Sequence, residues 1–394
     1  MKRIKGQFNE AIVYTDNIDE KAYEQIRELC NQEFAGGSCI RIMPDTHAGV
    51  GCTIGTTMTV KDKIVPNLVG VDIGCGMFVA ILKRTKVNFE KLDRVIRKMI
   101  PSGFAVRRIP HEYNSFVDLD SLKSKQCLDL NRARLSIGTL GGGNHFIEMN
   151  VDDDDNLYLV VHSGSRHLGK QIAEHYQHQA GVNTVKSNIE RITAELRSQG
   201  RQAEIAAEIA KFKKNLNRGL TYLEGETLAE YLNDMRIAQK YAEYNRKAIA
   251  EVILKEMGFA VVDSFTTIHN YIDLDELILR KGAISARKGE VVIIPLNMRD
   301  GSIIATGKGN AAWNYSAPHG AGRLMSRKQA KSSLRLEDFK KSMAGIYSTS
   351  LSRETLDEAP AAYKPMKEII ADIQETVEIN RVIRPVYNFK AAGD

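Results

Sequence analysis

The stretch KIVPNLVGVDIGCGMFVAIL, residues 63–82, decides how this chain is read. A glycine-bent loop feeds a β-branched and aliphatic run, which is the signature of a strand entered from a tight turn. The pattern recurs outward in CIRIMPDTHAGVGCTIGTTMTV (39–60), SIGTLGGGNHFIEMN (136–150) and NLYLVVHSGSRHLG (156–169). Residues 1–180 therefore read as short strands joined by glycine turns, with Asp152 to Asp155 as a solvated hairpin turn. From about 184 to 257 proline is absent and the period becomes helical. Leu228, Leu232, Met235, Ala238, Ala242, Ile249 and Val252 follow a Thr227-Leu-Ala-Glu230 capping box and stop at Gly258. That stripe reads as packing. Strand signals return in FAVVDSF, EVVIIPL and GSIIATG, then come a basic helix-like stretch and a C-terminal helix from about 360 to 380. No proline- or serine-rich linker divides the chain. The expected fold is α+β, a single mixed α/β domain over 1–394 with a β-rich core and a helical insertion at 184–257.

At 394 residues the chain can bury a large core. Its 43% hydrophobic and 26% charged content sets aside disordered and fibrous classes. No run reaches the roughly 18 to 20 apolar residues of a membrane span, and MKRIKGQFNEAIVY lacks the features of a secretory signal. A cytoplasmic address and no membrane partner are expected. Five widely spaced cysteines in a chain this long do not read as a disulfide framework. A net charge of +6 suits a polyanionic partner without identifying one.

Candidate chemistry concentrates in the glycine loops. Asp72 and Cys75 can turn a hard oxygen and a soft sulfur toward one metal. In isolation, a turn aspartate beside a buried structural cysteine is the better account. His145, His162 and His269 each lie just beyond a strand-like run, in a glycine- or asparagine-containing turn, where rigid scaffolds present functional side chains. A lone histidine in such a place is more often a satisfied core or turn residue. Together, the five offer oxygen, nitrogen and thiolate donors that suit a borderline divalent ion, and a thiolate can bridge two ions. His319 precedes a glycine-rich turn and Arg323 and Arg327. An imidazole there can attack phosphorus while the arginines, on a shared helical face, clamp phosphates. A helix cap followed by solvated arginines accounts for the same residues equally well. Asp45 and His47, on the turn Pro44-Asp-Thr-His47-Ala-Gly49, form a further carboxylate–imidazole pair or an ordinary turn cap. The run Gly138 to Asn144 lacks the ending of a Walker loop, and no dinucleotide fingerprint is present.

Taken in order, PDTHAG, VGVDIGCGM, GGGNHFIE, HSGSRHLG, HNY and HGAGRLMSR resemble the RtcB family of RNA ligases, from about residue 40 to the end. The resemblance implies joining of an RNA 3′-phosphate or 2′,3′-cyclic phosphate to a 5′-hydroxyl, with GTP and two Mn2+ ions. By motif, Asp72, Cys75, His145, His162 and His269 match the metal ligands, with Cys75 bridging, and His319 matches the residue that takes GMP from GTP. Asn144, His145, Phe146, Ile147, Glu148, His269, Asn270, Pro295, Leu296, Asn297, Met298, Ser302, Gly320, Ala321, Gly322 and Lys390 correspond to positions around GMP. A carboxylate such as Glu148 accepts from guanine N1 and N2 hydrogens, which adenine cannot match. Arg166, Arg323 and Arg327 correspond to RNA-phosphate contacts, and Asp45 and His47 to a supporting layer. The family's Pro-Gly-Ser-Met loop is Pro295-Leu-Asn-Met298 here, so the contacts at Leu296 and Asn297 differ. The chain also resembles the shorter members that occur beside a release-factor-like hydrolase in RNA repair. That hydrolase and an archease-like activator are the protein partners implied. Two other readings stand beside the ligase: a metal-dependent RNA-end phosphoesterase, and an RNA-binding repair accessory without ligation.

Overall fold

In the computed structural model, which describes residues 1–391, seven strands form the sheet that carries the site. They are β1 Gly76–Leu82, β2 Phe146–Val151, β3 Leu157–Ser163, β4 Val261–Ile268, β5 Val291–Asn297, β6 Gly301–Gly307 and β7 Val377–Lys390. Their order is β4-β1-β3-β2-β7-β6-β5, every neighbour antiparallel. The sheet curls until its edge strands β4 and β5 meet. Because side chains alternate along a strand, each strand serves two cores. Leu82, Ile147, Met149, Leu159, Val161 and Phe389 face outward onto Ile249 and Ile253 of a long helix. Met77, Val79, Phe146, Val160, Ile293 and Ile304 face inward. The same alternation puts Glu148, His162 and Lys390 on the inner face.

Two helices, α1 Arg166–Ser198 and α2 Gly225–Met257, pack on each other, and α2 also packs on β1 and β3. A second sheet of six strands, in the order Lys2–Lys5, Glu10–Val13, Ile40–His47, Ile54–Thr59, Ile278–Lys281, Asn270–Asp273, carries Asp45 and reaches the site through His47 and Ile54. The mixed α+β class expected above holds.

Several boundaries differ from the sequence reading. Helices Glu20–Cys30 and Phe89–Met99 lie within the stretch read as strands and turns. Helix α1 starts at Arg166, not near 184, because Leu168, Ile172, Tyr176 and Ala180 form a buried stripe that the interspersed Gly169 and Gly181 mask. Thr227 is not a cap. The helix begins at Gly225 and the Thr227 hydroxyl donates to Glu224 O inside the first turn. Gly258 does end α2, at a left-handed φ of 70°. The C-terminal helix is only Met366–Asp372, and the residues after it pair as β7 between β2 and β6, so tertiary pairing overrides local periodicity. Asp152 to Asp155 do form the β2–β3 turn, Asp155 at φ 58°.

Candidate active site

The loop before β1 is tied at three points. Cys75 N–H donates to Asp72 O (3.1 Å), Gly74 N–H to Asn270 O (2.7 Å), and His269 N–H to Cys75 O (2.9 Å). These ties set Asp72 and Cys75 against the β4 exit that carries His269. Helix α2 backs the loop: Arg246, fully buried, donates to Gly74 O (2.7 Å) and Ser163 O (2.9 Å). Asn245 accepts from Gly138 and Thr139 N–H and donates to Gly164 O. The helix read from sequence as packing is thus also the support of both site loops. Asn245 and Arg246 stand three and four residues after Ala242 and four and three before Ile249, so the helical period itself places them on the buried stripe, a signal the reading of that stripe as plain packing passed over.

The five expected donors converge. Cys75 Sγ lies 3.4 Å from His145 Nε2 and 3.3 Å from His162 Nε2. His162 Nε2 is 3.4 Å from His269 Nε2, and Asp72 Oδ2 is 3.0 Å from His145 Nε2. Two overlapping sets result, Cys75–His162–His269 and Asp72–Cys75–His145, sharing the cysteine. His145 precedes β2 and His162 lies inside β3, so neither sits beyond a strand as expected.

The far ring nitrogen fixes the tautomer of His162, whose Nδ1 donates to Asn144 O (3.1 Å), whereas His145 Nδ1 faces both Leu140 O (2.9 Å) and an Arg166 guanidinium nitrogen (3.0 Å). The His162 Nε2 lone pair then points into the cluster, at the Cys75 sulfur and the His269 imidazole. Electron-rich atoms facing one another across 3.3–3.4 Å suit a cation among them, so this donor set fits a borderline divalent ion. Burial drives His162 and His269 well below the ordinary imidazole range and pushes the Cys75 thiol well up, where Asp72's charge adds. Burial also pushes Asp72 upward, but the hydrogen bond and charge of His145 with the charge of Arg166 outweigh it and hold the carboxyl at about 2.

His319 stands beside the cluster, its ring centroid 4.8 Å from that of His269. Its Nδ1 donates to Asp45 Oδ2 at 2.6 Å, and its backbone N–H points to the same oxygen at 3.2 Å. Asp45 is fully buried. The turn after His319 packs so closely that a Cβ on Gly322 would lie 2.3 Å from Asp45 O, and Gly322 takes φ 75°. No side chain is tolerated there.

A cavity of about 300 Å³ opens at His319. Of the residues expected on a nucleotide, Asn144, Phe146, Glu148, His269, Asn270, Pro295, Leu296, Asn297, Met298, His319, Gly320, Ala321, Gly322 and Lys390 line it. Ile147 does not: its side chain points into the outer core, one residue out of phase with Phe146 and Glu148. Ser302 is buried in β6 with its hydroxyl unpartnered, and neither it nor His145 lines the cavity. His47 lines it, and burial lowers its imidazole. Asn297 is committed to the β5–β6 turn, accepting from the N–H groups of Arg299 and Asp300. Leu296 is buried in the core beneath.

One expectation about the arginines is corrected. Arg323 and Arg327 share no helical face, because a helix begins only at Arg327. Both pair with the buried Glu358, and Arg327 also with Asp357 (2.7 Å). Glu358 further pairs with Lys390 and accepts from Tyr363 (2.7 Å). Burial raises Glu358, but the charges of Lys390, Arg327 and Arg323 overcome it and bring the carboxyl to about 2. Glu358 went unnoticed in the sequence because Asp357-Glu358 reads as an ordinary acidic turn. Arg166 lies apart from the other two, with a guanidinium nitrogen 3.0 Å from His145 Nδ1.

The tRNA-splicing ligase RtcB family model matches residues 25–129 and 112–391. An RNA-splicing ligase RtcB of Escherichia coli (strain K12) is 30% identical over 385 residues, covering 88% of each chain. A tRNA-splicing ligase RtcB of Aeropyrum pernix is 26% identical over 474 residues, covering 95% of this chain and 94% of the relative. One of Thermococcus kodakarensis is 26% identical over 434 residues, covering 87% and 85%. A match of this extent takes in every loop that converges on the cavity, from Asp45 to Lys390, and the chain belongs to the RtcB family.

Proposed function

We propose that this protein is a GTP-dependent RNA ligase that joins an RNA 3′-phosphate or 2′,3′-cyclic phosphate to a 5′-hydroxyl through a guanylate carried on His319. The observation that carries this reading is the Asp45–His319 hydrogen bond in the wall of the cavity. With Nδ1 held as a donor, the free lone pair is on Nε2, the atom that attacks. Nε2 bonds to the α-phosphorus of GTP as the bond to pyrophosphate breaks. The ring then carries positive charge, and the buried Asp45 carboxylate offsets it. An RNA 3′-phosphate oxygen next displaces the imidazole from the guanylate, and the 5′-hydroxyl finally displaces GMP. Capping is needed because an unmodified phosphate monoester has a poor leaving group.

Asp72, Cys75, His145, His162 and His269 would hold two Mn2+ ions, Cys75 shared. Such ions supply charge neutralisation at phosphate oxygens. Glu148 is suited to accept from guanine N1 and N2 hydrogens, and Asn388 Nδ2 steadies it at 2.6 Å. Lys390 is held beside it by Glu358. The RNA would come from repair or tRNA splicing, with an archease-like activator or a release-factor-like hydrolase as partner and the cytoplasm as the site of action.

The test is incubation with α-labelled GTP and manganese. An acid-labile, base-stable protein adduct is expected, absent in His319→Ala. Asp45→Asn should lower the rate of adduct formation by about a hundredfold or more, as loss of the carboxylate that orients an imidazole and offsets its charge does, while melting near the parent temperature. A parent protein that forms no adduct sinks the proposal, and cyclic-phosphate opening without an adduct would make it a phosphoesterase.

A further inference from the structure

Two charged side chains on the inner face of the sheet stand near enough to pair. Strands β2 and β7 set Asn388 opposite Glu148 and Lys390 opposite Phe146. Lys390 is thus the diagonal neighbour of Glu148, about 7–8 Å away along the sheet and within reach of a long side chain. Both are buried, and both line the cavity beside His319. A carboxylate and an ammonium buried this close ordinarily pair, because each offsets the cost of burying the other.

Here they stay apart. Lys390 Nζ donates to Glu358, while Glu148 accepts from the amides of Asn388 (2.6 Å) and Asn150 (3.4 Å) and pairs with no cation among the described residues. Glu358 comes from the turn Leu356–Glu358, outside the sheet, and is held from several sides. Tyr363 donates to the oxygen that takes Lys390 (2.7 Å), and Arg327 (2.7 Å) and Arg323 (3.3 Å) donate to the other. The arginines are anchored in turn, Arg327 at Asp357 Oδ2 (2.7 Å) and Arg323 at Met325 O (3.0 Å). Two carboxylates compete for one ammonium, and the one with more donors around it holds it. Burial pushes the unpaired Glu148 up to about 7.

An open pair decides what the cavity can select. The edge of guanine presents N1–H and N2–H donors beside the O6 acceptor, which suits a free carboxylate next to an ammonium with donors to spare. Adenine reverses this, with an acceptor at N1 and a donor at N6. Were Lys390 to close on Glu148, the two would satisfy one another, and a base would have to break a buried pair to bind. We propose that Glu358 is a positioning residue for base selection: by holding Lys390 off Glu148, it keeps the carboxylate and the ammonium open to guanine. This rests on the ligase reading above. Glu358 acts through Lys390 and takes no part in the transfer of guanylate.

The probes are GMP and AMP, neither of which can guanylylate His319, titrated by calorimetry into the manganese-loaded full chain. Glu358→Gln should weaken GMP by about tenfold or more, the worth of a hydrogen bond to a charged group, and leave AMP unchanged. A cycle of melting temperatures at about pH 8 separates selection from packing. Glu148→Gln should stabilise the parent, whose carboxylate stands unpaired, and destabilise Glu358→Gln, in which Lys390 turns to Glu148. Glu148→Gln acting alike in both backgrounds overturns the proposal, as does parent-like GMP affinity in Glu358→Gln. If Glu358→Gln does not unfold cooperatively, Lys390→Met takes its place in the cycle: its effect and that of Glu148→Gln should add, and strong coupling between them overturns the proposal. The adduct from α-labelled GTP is measured on the parent in parallel. An adduct with parent-like GMP affinity in Glu358→Gln removes the role of Glu358 and leaves the ligase reading. A Glu358-dependent preference for GMP without any adduct removes the ligase reading and leaves the role.

Discussion

Glu148 is a carboxylate on the inner face of a strand, 3% exposed, with Asn388 and Asn150 as its hydrogen-bond partners. Burial outweighs these bonds and the charge of Lys390, raising the carboxyl from 4.5 to about 7. The folded protein therefore favours the protonated form more than the unfolded chain does. The stability attached to that proton is complete below about 4.5 and is lost as pH rises through about 7. Melting curves of the parent and Glu148→Gln between pH 5 and 8 test this: the advantage of the glutamine variant should grow with pH and level off above 7. Parallel curves would mean that the carboxyl is not held above its ordinary range. The same burial serves recognition, because an ionised Glu148 without guanine is costly and a guanine edge supplies the missing donors. Glu358 shows the opposite balance, since three cations keep it charged.

Between β3 and α1 the chain turns in two residues, Gly164 and Ser165, and passes directly under Asp72. Ser165 N–H donates to Asp72 Oδ1 at 3.1 Å, and a Cβ at Gly164 would lie 2.2 Å from that oxygen. Gly164→Ala should therefore displace one donor without touching the core. Elemental analysis should show manganese affinity reduced by about tenfold or more, the usual cost of disturbing a ligand's support, with cooperative unfolding retained. Unchanged metal content would show that Asp72 is free to move. The element pairings also explain which boundaries were legible. The β2–β3 hairpin and the stop at Gly258 are local events, written in turn residues. The start of α1 and the early end of the C-terminal helix, with β7 following it, depend on partners elsewhere, namely the core that buries Leu168 and Ile172 and the strands β2 and β6.

At the scale of the whole molecule, the curled sheet gathers donors from four separate strand ends onto one buried point, and their lone pairs oppose one another there. A cation bound only by the folded state stabilises it by about 2.7 kcal/mol when present at a hundred times its dissociation constant. Chelator should thus lower the melting temperature and manganese should restore it, while Cys75→Ala, lacking the donor common to both sets, should respond to neither. A melting temperature indifferent to chelator in a protein shown to be metal-free throughout would sink the metal-centre proposal. By itself the sequence determined the α+β class, the helical stretch, and the donor types Asp72, Cys75, His145, His162 and His269, because turn glycines, β-branched runs and motif order are local properties of the chain. The tertiary structure alone decided that Asp45 grips His319, 274 positions away. It also decided that Glu358 gathers Arg323, Arg327 and Lys390, that Arg246 braces the cysteine loop, and that Ile147 faces away. Those facts rest on side-chain phase and on contacts between distant segments, and a linear pattern encodes neither until the sheet has closed.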